Sequence, residues 1–193
     1  MANWAFTDYT IEGPIETLRK IYNAIKEHPV QEKSDEKWEG NVIIALNGDI
    51  NWKPKEGHYL RGFINKDSYL LDEEKGILMF DAEEAWGVTD FDEELKKLFP
   101  DIKVYWESEE PGEGIYVTND KEAKYFKHRF CIDTCVNGNY ESGYFKYKSD
   151  VFKWLHDITD GKVNTEEKVE EFNDKADEED SEDFIHIFEY KVV

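Results

Sequence analysis

The start of the chain has the periodicity of a strand followed by a helix. Over residues 3–12, aromatic and β-branched side chains alternate roughly with polar ones, as in a half-buried strand. Gly13-Pro14 follows, and proline is favoured at the first position of a helix. His28-Pro29 ends the helix, because the residue before a proline disfavours helical backbone angles. One face of this helix is apolar and consists of Ile15, Leu18, Ile21, Tyr22 and Ile25.

The next apolar segments are short and predict strands separated by turns. The continuous apolar run at 41–46 suits a buried strand, and the turn-rich stretch at 47–58 suits a loop. Residues 59–64 predict another short strand. A turn at 72–75 then leads into a strand over 77–80.

A helix and a hairpin are predicted next. Residues 90–99 have helical periodicity, Thr89 is placed to cap the helix, and Pro100 stops it. The runs at 102–106 and 114–118 flank a tight turn, so they predict an antiparallel hairpin.

The second half of the chain predicts a further hairpin and a helix. The segments 125–136 and 140–147 flank Asn137-Gly138, a pair that accepts the positive φ angles of a tight hairpin turn. Ser149 is the predicted cap of the next helix, and Gly161 its end. The apolar face of that helix consists of Val151, Phe152, Leu155 and Ile158.

The last helix and strand complete an α+β pattern. Asn164 or Thr165 opens a helix with Val169, Phe172 and Ala176 inward, and a closing strand follows. Hairpins with interspersed helices favour an antiparallel sheet with helices packed on one face, here as a ferredoxin-like core with extra hairpins. We assign residues 1–160 to this domain, and 161–193 to an acidic helix and closing strand of the same domain.

Composition indicates a folded chain with an acidic exterior. The 193 residues suit one domain, and the 15% aromatic content is too high for a disordered chain despite 36% charged residues. No segment has the length of apolar sequence needed to span a membrane, and the N-terminus lacks the basic flank of a signal peptide. Cys131 and Cys135 are the only cysteines, so we expect no disulfide framework and a reducing, cytoplasmic location.

Two stretches of the sequence carry short motifs that point to a known family. The first is the opening MANW with its strand, Gly-Pro and helix, within residues 1–28. The second covers 77–118 and includes Trp86, Phe99-Pro100-Asp101 and Glu110-Pro111-Gly112. Together they resemble the YubB-like ferredoxin-like domain family, which is typical of plasmids, phages and gut-bacterial mobile elements. The resemblance implies a ferredoxin-like fold and a mobile-element origin, and it implies no activity.

No motif in the chain predicts catalysis, a metal site or a cofactor. His128, Cys131 and Cys135 lack a fourth zinc ligand, and in a strand the two cysteines stand about 13 Å apart, so we expect two buried or half-buried thiols. An EF-hand alignment at 157–167 places Ile158 at a position that requires a carboxylate ligand, so the segment does not match a calcium-binding loop. Nucleophile-elbow, phosphate-loop and dinucleotide-binding motifs are absent from the sequence. The basic segment at 124–129 is isolated and suits local salt bridges better than nucleic acid.

The strongest charge feature is the run at 166–183, which has eleven acidic residues and two lysines in a chain of formal net charge −21. Such charge repels nucleic acid and anionic membranes and attracts basic protein surfaces. We therefore predict a non-enzymatic, mobile-element-encoded protein that docks on a nucleic-acid-handling protein as a nucleic-acid mimic and inhibits a host defence nuclease or effector. The predicted contact residues are Glu166, Glu167, Glu170, Glu171, Asp174, Asp177, Glu178 and Glu179, with a second patch of Glu107, Glu109, Glu110 and Glu113.

Other functions fit the same sequence. The chain is alternatively a structural or assembly domain whose acidity serves solubility, and whose contacts run through aromatic side chains or a sheet edge. It is alternatively an immunity protein against a basic toxin, for which the electrostatic argument is identical. An enzyme would require a pocket with a buried carboxylate of shifted pKa.

Overall fold

The described part of the chain, residues 3–27 and 37–193 of a computed structural model, contains both predicted hairpins and every predicted helix. A single turn of 3₁₀ helix at Pro111–Glu113 interrupts the first hairpin. The elements in chain order are β1 (Trp4–Glu12), α1 (Ile15–Glu27), β2 (Lys37–Trp38), α2 (Glu39–Asn47), β3 (Gly62–Ile64), β4 (Leu70–Asp72), β5 (Ile77–Ala85), α3 (Phe91–Leu98), β6 (Lys103–Glu110), β7 (Ile115–Thr118), β8 (Phe130–Val136), β9 (Asn139–Phe145), α4 (Lys148–Ile158), α5 (Glu166–Glu178), β10 (Phe184–Glu189) and β11 (Lys191–Val192).

Strand β1 lies at the centre of the larger sheet, between two antiparallel neighbours. Tyr9 stands opposite Phe80 of β5 on one side and opposite Trp106 of β6 on the other. Strand β4 pairs antiparallel with the start of β5, so four strands lie in the order β6-β1-β5-β4. With α1 after β1 and α3 between β5 and β6, this is the split β-α-β arrangement of a ferredoxin-like core. The predicted α+β class is confirmed.

Helices α1, α2 and α3 share one apolar core with the inward side chains of this sheet. Strand alternation places Tyr9 and Ile11 of β1 and Leu78 and Phe80 of β5 on the same face. The predicted apolar face of α1 contributes Leu18, Ile21 and Ile25, all buried. The predicted end of α1 at His28-Pro29 lies outside the described residues.

The segment 41–46 differs from its prediction, because it belongs to helix α2 and not to a strand. Only Val42 and Ile43 of the run are fully buried. Gly48 ends the helix with φ 75°, and its N–H donates to Ile44 O over 2.9 Å. A short apolar run carries no periodicity of its own, so its sequence does not separate a strand from a buried turn of helix.

Two predicted helix caps are also wrong. Asp90, and not Thr89, is the N-cap of α3, and Tyr147, and not Ser149, is the N-cap of α4; neither helix has a side-chain cap. Thr89 instead directs its hydroxyl toward two buried carboxyl groups, while Ser149 lies inside α4. Of the two residues predicted to open α5, Asn164 and Thr165, the N-cap is Thr165, which accepts a hydrogen bond from the Lys168 N–H.

The chain divides into two compact units. Unit 1 comprises the residues up to Lys121 together with Val192 and Val193, and unit 2 comprises Glu122–Lys191. The division therefore falls between β7 and β8, whereas the sequence analysis separated residues 1–160 from 161–193. The physical reason is that α5 packs on β10 and shares one core with α4 and β8, so the acidic helix belongs with the second hairpin.

Unit 2 is a three-stranded antiparallel sheet in the order β10-β8-β9 with α4 and α5 as its helices. The predicted Asn137-Gly138 turn joins β8 to β9, with φ angles of 52° and 75°. The core consists of Phe130, Ile132, Val136, Val151, Leu155, Val163, Val169 and Ile185.

Candidate functional site

Helix α5 is fixed on unit 2 by an apolar stripe and by one amide side chain. Val169 and Ala176 are buried, and Phe172 is half-buried between them along the helix. Asn173 adds a strand-like contact: its Oδ1 accepts from the Ile185 N–H over 2.8 Å, and its Nδ2 donates to Ile185 O over 2.9 Å. These contacts fix which side of the helix faces solvent.

Acidic residues cover that solvent side, and they define what we call the acidic face. At 3.6 residues per turn, they fall within an arc of roughly 140° opposite the apolar stripe. Lys168, Lys175 and Glu179 lie on one flank, beside a groove of about 400 Å³ that Lys162 also lines. The acidic face consists of the exposed residues Glu166, Glu167, Glu170, Glu171, Asp174, Asp177 and Glu178.

Few of these carboxylates are neutralised. Lys148 pairs with Glu166, and Lys168 pairs with Glu171 over 2.5 Å. Each carboxylate raises the pKa of its lysine, chiefly through the hydrogen bond. Within the described part of the chain the remaining five residues of the acidic face form no ion pair. Exposed ion pairs contribute only about 0–1 kcal/mol. The acidic face therefore keeps most of its negative electrostatic potential.

The negative charge of unit 2 is concentrated in one segment. Residues 166–183 hold eleven acidic residues and two lysines, whereas the rest of unit 2 holds seven acidic and eight basic residues. Outside 166–183 this unit is therefore close to neutral. Within unit 2 the acidic face is therefore a concentrated patch and not one part of an even coating.

The second predicted patch does not form an exposed surface. Glu107 and Glu110 are each only 4% exposed, and Glu109 is half-buried. Glu113 is exposed, and it accepts a hydrogen bond from Asn3 Nδ2 over 2.6 Å. The sequence predicts that the strand ends at 106 and that a tight turn follows. Strand β6 instead continues to Glu110, and its alternation turns Glu110 to the same side as Trp106.

Unit 1 contains a buried carboxyl pair that the sequence analysis missed. Glu39, the first residue of α2, and Glu84, near the end of β5, are both 0% exposed. The hydroxyl of Thr89 lies 2.7 Å from Glu39 Oε2 and 2.8 Å from Glu84 Oε1. Burial raises the pKa of the Glu39 carboxyl well above its ordinary value, and the adjacent Glu84 carboxyl raises it further.

Three further donors surround Glu84. The Tyr9 hydroxyl donates to Glu84 Oε1 over 2.7 Å, and the Thr89 N–H donates to the same oxygen over 3.1 Å. The Thr7 hydroxyl contacts Glu84 Oε2 and lies 2.8 Å from the Ser108 hydroxyl. Burial raises the pKa of Tyr9 strongly, and Glu84 adds to the shift, so the phenol stays a donor.

The inward position of Glu84 can be predicted from the sequence. In the strand ILMFDAEEA, Leu78, Phe80 and Ala82 alternate inward, and the same period continues to Glu84. Glu39 has no such signal, because it lies in a polar stretch just before the run at 41–46, which the sequence predicts as a strand. The sequence predicts Thr89 as a helix cap because the contact of its hydroxyl with Glu39 depends on tertiary packing.

The outer face of the unit 2 sheet is aromatic. Tyr140 and Tyr144 of β9 are 69% and 52% exposed. On β10, Phe184 stacks on His186 with ring centroids 4.7 Å apart. We call Tyr140, Tyr144, Phe184, His186 and Phe188 the aromatic face.

Cys131 and Cys135 of β8 are free thiols and are buried, as predicted.

Comparison with family models, with curated proteins and with solved structures gives no match to this chain. The resemblance to the YubB-like family therefore stays a prediction. Within the described residues, none of the helices combines the length and apolar character required to cross a bilayer.

Proposed function

We propose that this protein is a non-enzymatic inhibitor that binds the basic surface of a nucleic-acid-handling protein through the acidic face of α5. The observation that carries the proposal is the concentration of seven exposed carboxylates on one side of one helix, on a unit that is otherwise balanced in charge. A surface of this kind selects its partner by the sign and density of charge.

The charge density of the acidic face is similar to that of a nucleic-acid strand. From Glu166 to Glu178 the helix rises about 18 Å at 1.5 Å per residue. Seven charges over that length give roughly one per 2.6 Å, between about 3.4 Å for one DNA strand and 1.7 Å for the duplex. A groove lined with lysine and arginine that accepts a phosphate backbone therefore meets a comparable density of negative charge here.

The arrangement opposes the stability of the helix, which supports a role beyond solubility. Like charges four residues apart destabilise a helix by about 0.2–0.5 kcal/mol per pair. Glu166, Glu170, Asp174 and Glu178 form three such pairs in one row, and Glu167 and Glu171 form another. Acids dispersed over several elements would keep the protein soluble without this repulsion.

The partner class follows from the charge and from the resemblance. A basic surface able to accept nucleic acid is a property of nucleases and other nucleic-acid-binding effectors. A mobile-element origin makes a host defence nuclease or effector the concrete target. Inhibition by occupation of the nucleic-acid groove needs no reaction, and it predicts direct competition with nucleic acid.

The test uses two variants that change the net charge by the same amount. The first replaces Glu170, Asp174, Asp177 and Glu178 of the acidic face by lysine; these residues are exposed and lie outside the first helical turn, so the fold is spared. The matched control replaces four exposed acids elsewhere by lysine: Glu56, Glu74, Asp101 and Glu122. Immobilised wild type and both variants are exposed to bacterial lysate at low and high salt, and captured proteins are eluted with duplex or single-stranded DNA.

The expected result is a nucleic-acid-binding protein that the wild type and the control capture at low salt. DNA should release it, and the α5 variant should fail to capture it. Capture that is equal for the α5 variant and the wild type, or that resists both DNA and high salt, rejects the proposal.

The aromatic face of unit 2 supports a second candidate, an assembly domain. Tyr140 and Tyr144 expose large rings, and Tyr140 contacts Phe184 with ring centroids 6.2 Å apart. Aromatic groups are enriched at protein interfaces. This candidate predicts that Tyr140→Ser combined with Tyr144→Ser removes partner binding and that the four α5 lysines leave it intact. The same capture experiment with this double variant separates the two functions.

A further inference from the structure

We propose that Glu39 and Glu84 of unit 1 form a buried proton-binding site, in which one proton, carried by Glu39, holds the first turn of α2 on the sheet and its loss releases that turn. The proposal is independent of the acidic face. It rests on the hydrogen-bond geometry, on the close packing at Gly62, and on the lack of a positively charged partner among the described residues.

The hydrogen count requires a proton on one carboxyl group. The Thr89 hydroxyl has one hydrogen, yet it lies within 2.7 Å of Glu39 Oε2 and 2.8 Å of Glu84 Oε1. Two ionised carboxylates would leave one of these contacts between two acceptors. One of the carboxyl groups must therefore donate to the Thr89 oxygen.

The surrounding donors assign the proton to Glu39. Glu84 already accepts from the Tyr9 hydroxyl, the Thr89 N–H and the Thr7 hydroxyl, which is the surrounding of an ionised carboxylate. Glu39 Oε1 has no hydrogen-bond partner although it is buried. The consistent arrangement has Glu39 Oε2–H donating to Thr89, and Thr89 donating to Glu84.

The charges that face Glu39 are negative. Glu84 approaches from β5 and Asp92 from α3, and both raise the pKa of Glu39, as does its burial. Tyr9 from β1 is a neutral donor to Glu84. Asp92 is paired with Lys96 over 2.8 Å, but within the described residues neither Glu39 nor Glu84 forms an ion pair. A second buried negative charge without compensation is strongly unfavourable.

Gly62 of β3 shows how closely the two carboxyl groups are held. A Cβ atom at this position would lie 2.7 Å from Glu39 Oε1 and 2.8 Å from Glu84 Cγ. The strand therefore presents bare backbone where the pair is packed. Any larger side chain at position 62 would occupy the space that the Glu39 and Glu84 side chains now fill.

Loss of the proton thus acts on the start of α2. Glu39 is its first residue, and Trp38 just before it contacts Phe63 of β3 with ring centroids 5.8 Å apart. When Glu39 ionises, repulsion from Glu84 and the demand for hydration draw its carboxylate outward. The first turn of α2 must then open, while Val42 and Ile43 remain the apolar anchor of the helix.

The first test measures unfolding by denaturant as a function of pH. The folded-state pKa of Glu39 is raised, so the native state holds a proton that the unfolded chain releases above its ordinary glutamate pKa. Between the ordinary glutamate pKa and the raised pKa of Glu39 in the folded protein, the folding equilibrium constant should fall with rising pH. For one proton the fall is up to tenfold per pH unit. Glu39→Gln keeps a donor at this position and should remove that part of the slope. The exposed control Glu167→Gln should retain it.

Hydrogen exchange tests the local opening in the native protein. In the wild type, the amides at the start of α2 should lose protection as pH rises, beyond the intrinsic increase in exchange, and in Glu39→Gln they should not. An identical pH slope for wild type and Glu39→Gln overturns the proposal. Loss of stability on adding a chelator of divalent cations also overturns it, because a metal ion and not a proton would then neutralise the pair.

Discussion

Glu84 in unit 1 and Glu167 in unit 2 are the same residue type in opposite surroundings. Glu84 is fully buried and accepts hydrogen bonds from three side-chain hydroxyls and one backbone N–H. Glu167, in contrast, is exposed on α5 and forms no ion pair within the described residues. The buried acids Glu39 and Glu84 of unit 1 make internal contacts, whereas the acidic face of unit 2 is available to a partner. A net charge alone therefore says little about what an acidic residue does.

The largest expected effect comes from removing the buried acceptor. Glu84→Leu fills a similar volume but leaves the Tyr9 hydroxyl, the Thr89 N–H and the Thr7 hydroxyl without their acceptor. At about 1–3 kcal/mol for each of these three buried unsatisfied groups, the free energy of unfolding in denaturant should fall by at least about 3 kcal/mol. Glu167→Leu on the acidic face should change the same quantity by no more than about 0.5 kcal/mol. Similar losses of stability for the two substitutions would contradict the different roles of Glu84 and Glu167.

A glycine pair tests the packing of the same site. Gly62→Ala places a methyl group 2.7 Å from Glu39 Oε1, so unit 1 should lose roughly 1–3 kcal/mol through overpacking. Gly40→Ala is the matched control: it lies in α2 with open space around its Cβ position, and alanine should stabilise the helix by up to about 1 kcal/mol. Thermal unfolding of the two variants gives the sign directly. A stabilising Gly62→Ala would show that the carboxyl pair is not held as described.

The contrast between the two sites also explains which features the sequence predicts. Local signals predict β1 and α1, the Asn137-Gly138 hairpin and the Thr165 cap, because neighbouring residues determine each of them. They predict the acidic face as well, since helical period alone gathers its residues. The Glu39–Glu84 pair joins residues 45 positions apart through Thr89 and Gly62. Its formation depends on tertiary packing that no local pattern contains.

Three of the failures share that cause. The run at 41–46 was assigned a strand although it forms part of α2, and Thr89 was assigned a cap although its hydroxyl serves the carboxyl pair. Glu107 and Glu110 were assigned to an exposed patch although their side chains are buried. In each case the sequence-based choice follows residue type, and burial decides the outcome.

Asn173 tests what keeps the acidic face in place. Asn173→Leu removes both hydrogen bonds to Ile185 of β10 and leaves that N–H and carbonyl without their partner. The site is partly buried, so we expect a loss of about 1–2 kcal/mol, at the lower end for unsatisfied groups. Amide exchange of Ile185 should accelerate with it. If stability and exchange were unchanged, the apolar stripe alone would fix α5.

The smallest expected effect is also the sharpest test, because stability and function should change in opposite directions. Glu170→Lys replaces repulsion from Glu166 and Asp174 by two attractive contacts one turn away. At about 0.2–0.5 kcal/mol per contact, unit 2 should gain about 1 kcal/mol, and added salt should reduce the gain. The same substitution reverses a charge at the centre of the acidic face, so capture of a basic partner should weaken. A gain in stability with unchanged capture would mean that the repulsion in α5 serves no partner, and the acidic face would then be a solvated surface.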